Sequence, residues 1–182
     1  MNRSLLSKLL AVGVISTCVL MSSGCTSQEE IEREKAEQEA QRQREREELA
    51  RSAENLKQCE TLFNQGKYED ANPFCYKVFD PYNPGKLHPI ASRILGFIHF
   101  YHGWGVNTSD IDIGLKYFED ASREGDGEAS FQLGVIYLNG LLGVKPDHVK
   151  AYLMLHKASQ SYDKTVSQKA LTLLQRYFPS PY

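Results

Sequence analysis

The segment from Ala91 to Lys157 repeats itself, and that echo constrains the fold more than any other feature of the chain. Leu95-Gly96 returns as Leu133-Gly134, Gly105-Val106 as Gly143-Val144, Asp110 as Asp147 and Ala121 as Ala158. The offset is 38 residues at the start and 37 further on. A period in the thirties belongs to stacked helix–turn–helix units, each of which buries its apolar face only against its neighbours. The chain is therefore expected to be all-α and to bind rather than to catalyse.

The elements follow from periodicity. Ala91, Ile94, Leu95, Ile98 and Tyr101 fall on one face of a helix, and Gly103-Trp104-Gly105-Val106-Asn107 is a turn. Asp110 or Asp112 is expected to cap the second helix, which carries Leu115, Phe118 and Ala121 before Gly125. The next unit reads Ala129, Leu133, Gly134 and Tyr137, then the turn Gly140 to Val144. Its second helix runs from Asp147 through Ala151, Met154, Leu155 and Ala158. A last helix, Lys164 to Phe178, places Val166, Ala170, Leu173, Leu174 and Tyr177 on one side and stops at Pro179. It reads as the cap that covers the terminal apolar face of a repeat array.

These residues resemble the Sel-one-like repeat family, a relative of tetratricopeptide repeats with a longer inter-helix loop. The resemblance is carried by Leu133-Gly134-Val135-Ile136-Tyr137-Leu138-Asn139-Gly140, Gly143-Val144, Asp147, Lys150-Ala151 and Lys157-Ala158. The earlier unit departs from it, with Ile113-Gly114 and Asp120-Ala121 in place of the two Lys-Ala pairs and a turn shifted by one residue. It implies a short right-handed α-solenoid, with repeats at 88–126 and 127–162 and a cap and tail at 163–182.

Upstream, over 55–84, Leu62-Phe63-Asn64-Gln65-Gly66-Lys67-Tyr68-Glu69-Asp70-Ala71 is similar to the turn of a tetratricopeptide hairpin. Gly66 supplies a left-handed helix exit and Ala71 a close helix–helix contact. In that family's register Cys59 and Cys75 face one another across the hairpin, which implies a structural disulfide. Two buried free thiols, or a redox-active pair, are the alternatives. Asp80-Pro81-Tyr82-Asn83-Pro84-Gly85 then ends the hairpin.

Residues 28 to 54 are rich in Glu, Arg, Gln and Ala and contain neither Gly nor Pro. Pairs such as Glu29–Arg33 and Glu47–Arg51 favour helix. Ile31, Leu49 and Leu56 are too sparse for a heptad seam, so a solvated spacer is the reading and a dimerising coiled coil its rival. As a helix its 27 residues would reach roughly 40 Å. Before it, Arg3 and Lys8 precede an apolar run from Leu9 to Met21, too short for a membrane span. Ser22-Ser23-Gly24-Cys25 resembles the lipobox of bacterial lipoproteins, departing from it at Ser22, where that family more often has an aliphatic residue. The resemblance implies a signal peptide over 1–24, an acylated Cys25 opening the 25–54 segment, and, with Thr26 next, a periplasm-facing outer-membrane anchor. An ordinary signal peptide cut nearby or an uncut anchor are the alternatives.

A formal charge of −2 and no lone basic stripe give no sign of nucleic-acid binding. His99 and His102 lie three apart but without a third ligand nearby, and Asp110 and Asp112 are more simply helix-start residues than paired catalytic carboxylates. No nucleophile elbow or phosphate loop is present. No cofactor, metal or small-molecule substrate is expected. The expected partner is an envelope protein or peptide, gripped by aromatic residues of the first helices, with Phe100, Tyr101 and Trp104 as candidates. The function that follows is protein–protein contact in envelope assembly. The alternatives are an accessory role in an envelope machine such as the sodium-driven flagellar motor, whose component with similar repeats the architecture resembles, and a cell-wall-acting enzyme or its inhibitor.

Overall fold

The computed structural model describes residues 27–79, 88–102 and 108–179, which form seven α-helices. They are α1 (Gln28–Asn64), α2 (Tyr68–Val78), α3 (Pro89–His102), α4 (Thr108–Arg123), α5 (Gly127–Asn139), α6 (His148–Ser159) and α7 (Lys164–Tyr177). The chain divides into two units, one ending at Arg46 and one beginning at Glu47. The described part of the first unit is helix alone, exposed at every residue. Its start is a capping box: the Glu30 amide donates to Ser27 Oγ and the Ser27 amide donates back to Glu30 Oε2.

The boundary expected between Glu54 and Asn55 leaves no break in the backbone, because α1 continues to Asn64. Nothing in that stretch stops a helix; the first glycine after it is Gly66, at φ +74°. There the Gly66 amide donates to Phe63 O and the Lys67 amide to Leu62 O, the paired bonds of a Schellman turn. Helix α2 then folds back on the end of α1. Cys59 and Cys75 form a disulfide, with Cα atoms 5.0 Å apart, and both are fully buried among Ala71, Phe79, Ile94, Leu95 and Ile98.

The second unit is an all-α solenoid of helical repeats, and burial reproduces the sequence echo position by position. Ala91, Ser92, Leu95, Gly96, Ile98 and Phe100 are buried in α3, and Ala129, Ser130, Leu133, Gly134, Ile136 and Leu138 are buried at the matching places in α5. In the second helices Gly114, Phe118 and Ala121 correspond to Ala151, Leu155 and Ala158. The helices of each pair meet at side-chain-free points. A Cβ on Gly96 would sit 2.7 Å from the Phe118 ring, and one on Gly134 would sit 2.7 Å from Leu155 Cγ. Gly114 lies against the backbone of Phe100, 2.6 Å from its amide nitrogen to the position of an added Cβ.

The repeats are joined by the turn at Gly125, φ +93°, again with Schellman bonds, from Gly125 N to Ser122 O and from Asp126 N to Ala121 O. Asp126 caps α5 by accepting from the Ala129 amide, while its other oxygen accepts from Arg93 Nε at 3.0 Å. One carboxylate thus ends a turn, starts a helix and ties α3 to α5. Lys157, on α6, donates to the Ser122 carbonyl in the last turn of α4, where the helix dipole favours a cation.

Two expectations are corrected. Asp110 and Asp112 do not cap α4: the helix already includes Thr108, so Asp110 lies in its first turn and Asp112 further in. Among the described residues, the aspartate cap that the echo suggested is found in the second repeat, where Asp147 accepts from the Val149 and Lys150 amides. In α7, Tyr177 is exposed instead of buried, and the ring that packs inward is Phe178, just past the helix end. Asp163 caps α7, and Val166 and Ala170 are its buried residues. The turns at 80–85 and 103–107 lie outside the described residues.

The glycine contacts separate two kinds of substitution. Gly134→Val and Gly114→Val should each lower stability by at least about 2 kcal/mol, because helix must be pushed from helix. Gly66→Ala, with nothing within 4 Å of an added Cβ, should cost only the left-handed backbone term, about 1 kcal/mol. Thermal or urea unfolding of the three variants checks the ordering.

Candidate interaction surfaces

The start of α2 and the first helices α1 and α3 present a run of rings. Tyr68 lies 5.5 Å from Phe63 between ring centroids, Phe63 lies 5.7 Å from Phe97, and Phe97 stacks on Tyr101 at 5.8 Å. Polar groups continue the run on to α5. Tyr101 OH donates to Gln132 Oε1 at 3.1 Å, and Gln132 Nε2 donates to Glu128 Oε1 at 2.8 Å. Tyr101 is 37% exposed, and burial of its ring together with the nearby Glu128 holds its hydroxyl above the usual tyrosine range.

Of the three residues expected to meet a partner, the structure leaves Tyr101 open and buries Phe100. Phe100 is 2% exposed, because its backbone is the surface against which Gly114 packs and its ring lies 6.2 Å from that of Phe118. It is core and cannot contact a partner. The reason is helical phase: residues 100 and 101 sit about 100° apart on the cylinder, so one faces α4 and the other solvent. Trp104 and Cys25 lie outside the described residues.

Sequence reasoning missed the groove beside this surface. A cavity of about 510 Å³ is lined by Lys67, Tyr68, Asp70, Asn72, Ile98 and His102. One wall is the Tyr68 ring stacked on the His102 imidazole, with centroids 4.0 Å apart. Asn72 Oδ1 is buried there without a partner among the described residues. The lining comes from two successive helices, and the groove depends on their packing, which the periodicity of neither one signals.

His99 and His102 diverge. His102 joins the groove, whereas the His99 ring takes a hydrogen bond with Tyr76 OH at 3.0 Å, and Tyr76 in turn accepts from Tyr117 OH at 2.9 Å. Burial pushes the Tyr117 hydroxyl far up, aided by its bond to Tyr76, and holds the His99 imidazole below its ordinary range against the pull of Asp110. Burial likewise lowers His88, despite Glu60. Tyr137 is pushed up to about 12 by burial and by Glu119, to which its hydroxyl donates. Among the described residues no group of three or more His, Cys, Asp or Glu comes together to hold a metal ion.

Residues 89–126 and 127–163 each match the family model of the Sel1 repeat. The chain carries two Sel1 repeats. The matched spans begin at the first residue of α3 and meet at Asp126, the carboxylate shared by turn, cap and ion pair. No curated protein and no solved structure matches the chain. Sel1 repeats generally mediate protein–protein interaction, and their fold is typically a non-catalytic scaffold. The open Tyr101 ring is the kind of surface feature such a scaffold uses.

The histidines predict a pH dependence. Their folded pKa values lie below the ordinary 6.5, so below that pH the unfolded chain binds protons that the folded one refuses. Stability is therefore full above 6.5 and declines as pH falls through it towards the lowered folded values. The melting temperature should drop between pH about 7.5 and about 5, and His99→Gln should flatten part of that drop.

Proposed function

We propose that this protein is a non-enzymatic, lipid-anchored scaffold of the outer membrane that makes protein–protein contacts in envelope assembly. The observation that carries the binding part is the pair of Sel1 repeats, whose first-helix surface leaves Tyr101 open beside a groove, with the half-buried Phe97 ring stacked against it. A Tyr such as Tyr101 offers a large, rigid contact area and a hydroxyl already engaged by Gln132, so its ordering cost on binding is small.

The anchoring part rests on Ser22-Ser23-Gly24-Cys25 and the charged helix after it. No helix among the described residues is long and apolar enough to cross a membrane. Attachment through an acylated Cys25 supplies membrane residence without a span, and a multiply acylated cysteine holds where a single chain would not.

Two experiments test the two halves separately. Cys25→Ala should move the protein from the membrane fraction to the soluble fraction; retention in membranes contradicts lipidation. A photoreactive amino acid at position 101 should crosslink a polypeptide in cells. The same probe at the buried position 100 should not, and purified protein should leave cell-wall fragments unchanged. Cell-wall turnover that vanishes with one side-chain change would replace the scaffold by an enzyme.

A further inference from the structure

The two repeats share a backbone plan but not an outer surface. On the solvent side of α4 stand Asp112, Lys116 and Glu119, all exposed. Thirty-seven residues on, the same places on α6 carry Val149, Leu153 and His156. Val149 is 71% exposed and Leu153 53%, and Tyr152 beside them is 42% exposed. A surface helix normally keeps such positions polar, as α4 does. Neither residue contributes to the core, which α6 supplies from Ala151, Leu155 and Ala158 on its opposite side.

The apolar strip runs into a groove. Between α6 and α7 lies a trough of about 400 Å³ lined by Tyr152, His156, Leu174, Gln175, Phe178 and Pro179. The Tyr152 and Phe178 rings meet in its wall at 5.5 Å between centroids. The trough suits an inserted side chain better than a flat lipid surface, and the helix-in-groove mode of peptide recognition uses such a pairing of ridge and trough.

Charge selects the occupant. From residue 145 to residue 179 the chain has six cations, Lys145, Lys150, Lys157, Lys164, Lys169 and Arg176, against two carboxylates. Both carboxylates, Asp147 and Asp163, are spent on helix N-caps. Leu153 stands three residues after Lys150 and four before Lys157, so the two ammonium groups flank it on the helix surface. Neither ammonium is paired with a carboxylate among the described residues: Lys150 lies 4.9 Å from the centre of the Tyr137 ring, and Lys157, which donates to the Ser122 carbonyl, has further N–H donors to offer.

We propose that the outer face of the second Sel1 repeat and its cap helix bind an acidic amphipathic helix of a partner protein. This rests on the scaffold reading and names a second surface, away from Tyr101, with the chemistry of what it takes. Apolar side chains of the partner fill the trough and cover Val149 and Leu153, while its carboxylates meet Lys150 and Lys157. The lysines speed and orient the encounter, and the apolar contacts hold it.

The test is selection of a displayed library of random 16-residue peptides against the purified full-length protein. The control is the V149D/L153K double variant, which installs the two residues that the first repeat has at these places. Both sites are exposed, so the variant should melt within a few degrees of the parent, which circular dichroism verifies. Selected peptides should carry net negative charge with aliphatic or aromatic residues at helical spacing. They should bind the double variant at least about tenfold more weakly, and bind the parent more weakly as salt rises.

Basic or neutral selected peptides, no enrichment, or equal binding to the double variant would overturn the proposal. So would anionic phosphatidylglycerol vesicles, or a second copy of the chain in sedimentation, proving to be what the double variant loses. If peptides fail here while position 101 still crosslinks a polypeptide, the scaffold reading stands and this surface alone is withdrawn. If neither binds, both fall.

Discussion

Everything in the folded unit depends on helices approaching where a side chain is missing. Gly96 admits the Phe118 ring, Gly134 admits Leu155, and Gly114 rests on the Phe100 backbone. Interiors pack at crystal-like density, so a contact built around a missing methyl group cannot be re-made by small adjustments. Each hairpin is fixed by such a contact, and the fixed hairpin presents the next apolar face to its neighbour. The array then grows by repetition, with α7 closing the last face through Val166 and Ala170. At the other end the Cys59–Cys75 bridge holds the hairpin that closes the first, and closing a loop of that size stabilises by about 3 kcal/mol.

Between the hairpins polar groups fix register. Arg93 and the Ala129 amide both converge on Asp126, and Lys157 reaches the Ser122 carbonyl. The Ser122 and Ser130 hydroxyls bond at 2.8 Å in a buried position, and Ser130 also donates to Asp126 O. Apolar surfaces slide easily over one another; these directional bonds allow one alignment. They lie at the junction that the two family matches share, so the same few residues that divide the repeats also hold them together.

Much of this was legible in the sequence, for identifiable reasons. The echo found the repeats because Gly, Ala and Leu recur where two helices must touch, and those constraints are local and periodic. Gly66 announced its turn because its backbone needs a positive φ. The failures come from information that periodicity does not contain. Asp110 matches Asp147 in the echo, yet α4 already includes Thr108 and so holds Asp110 in its first turn, whereas Asp147 stands just before its helix. Phe100 has the ring chemistry of a surface anchor, but its helical phase turns it against α4 and buries it. The Tyr68–His102 groove and the trough by Phe178 each lie between two consecutive helices and depend on how those helices pack, which the periodicity of either one alone does not signal.

The central claim, that the two echoing stretches are one hairpin built twice around side-chain-free contacts, is tested most directly by nuclear Overhauser spectroscopy of the two glycines. The account predicts cross-peaks from the Gly96 α-protons to the Phe118 ring, with one α-proton shifted upfield by the ring current. It predicts matching cross-peaks from the Gly134 α-protons to the Leu155 methyl groups. Cross-peaks in one hairpin and none in the other, or unshifted Gly96 protons, would mean that the two stretches fold differently and would contradict it.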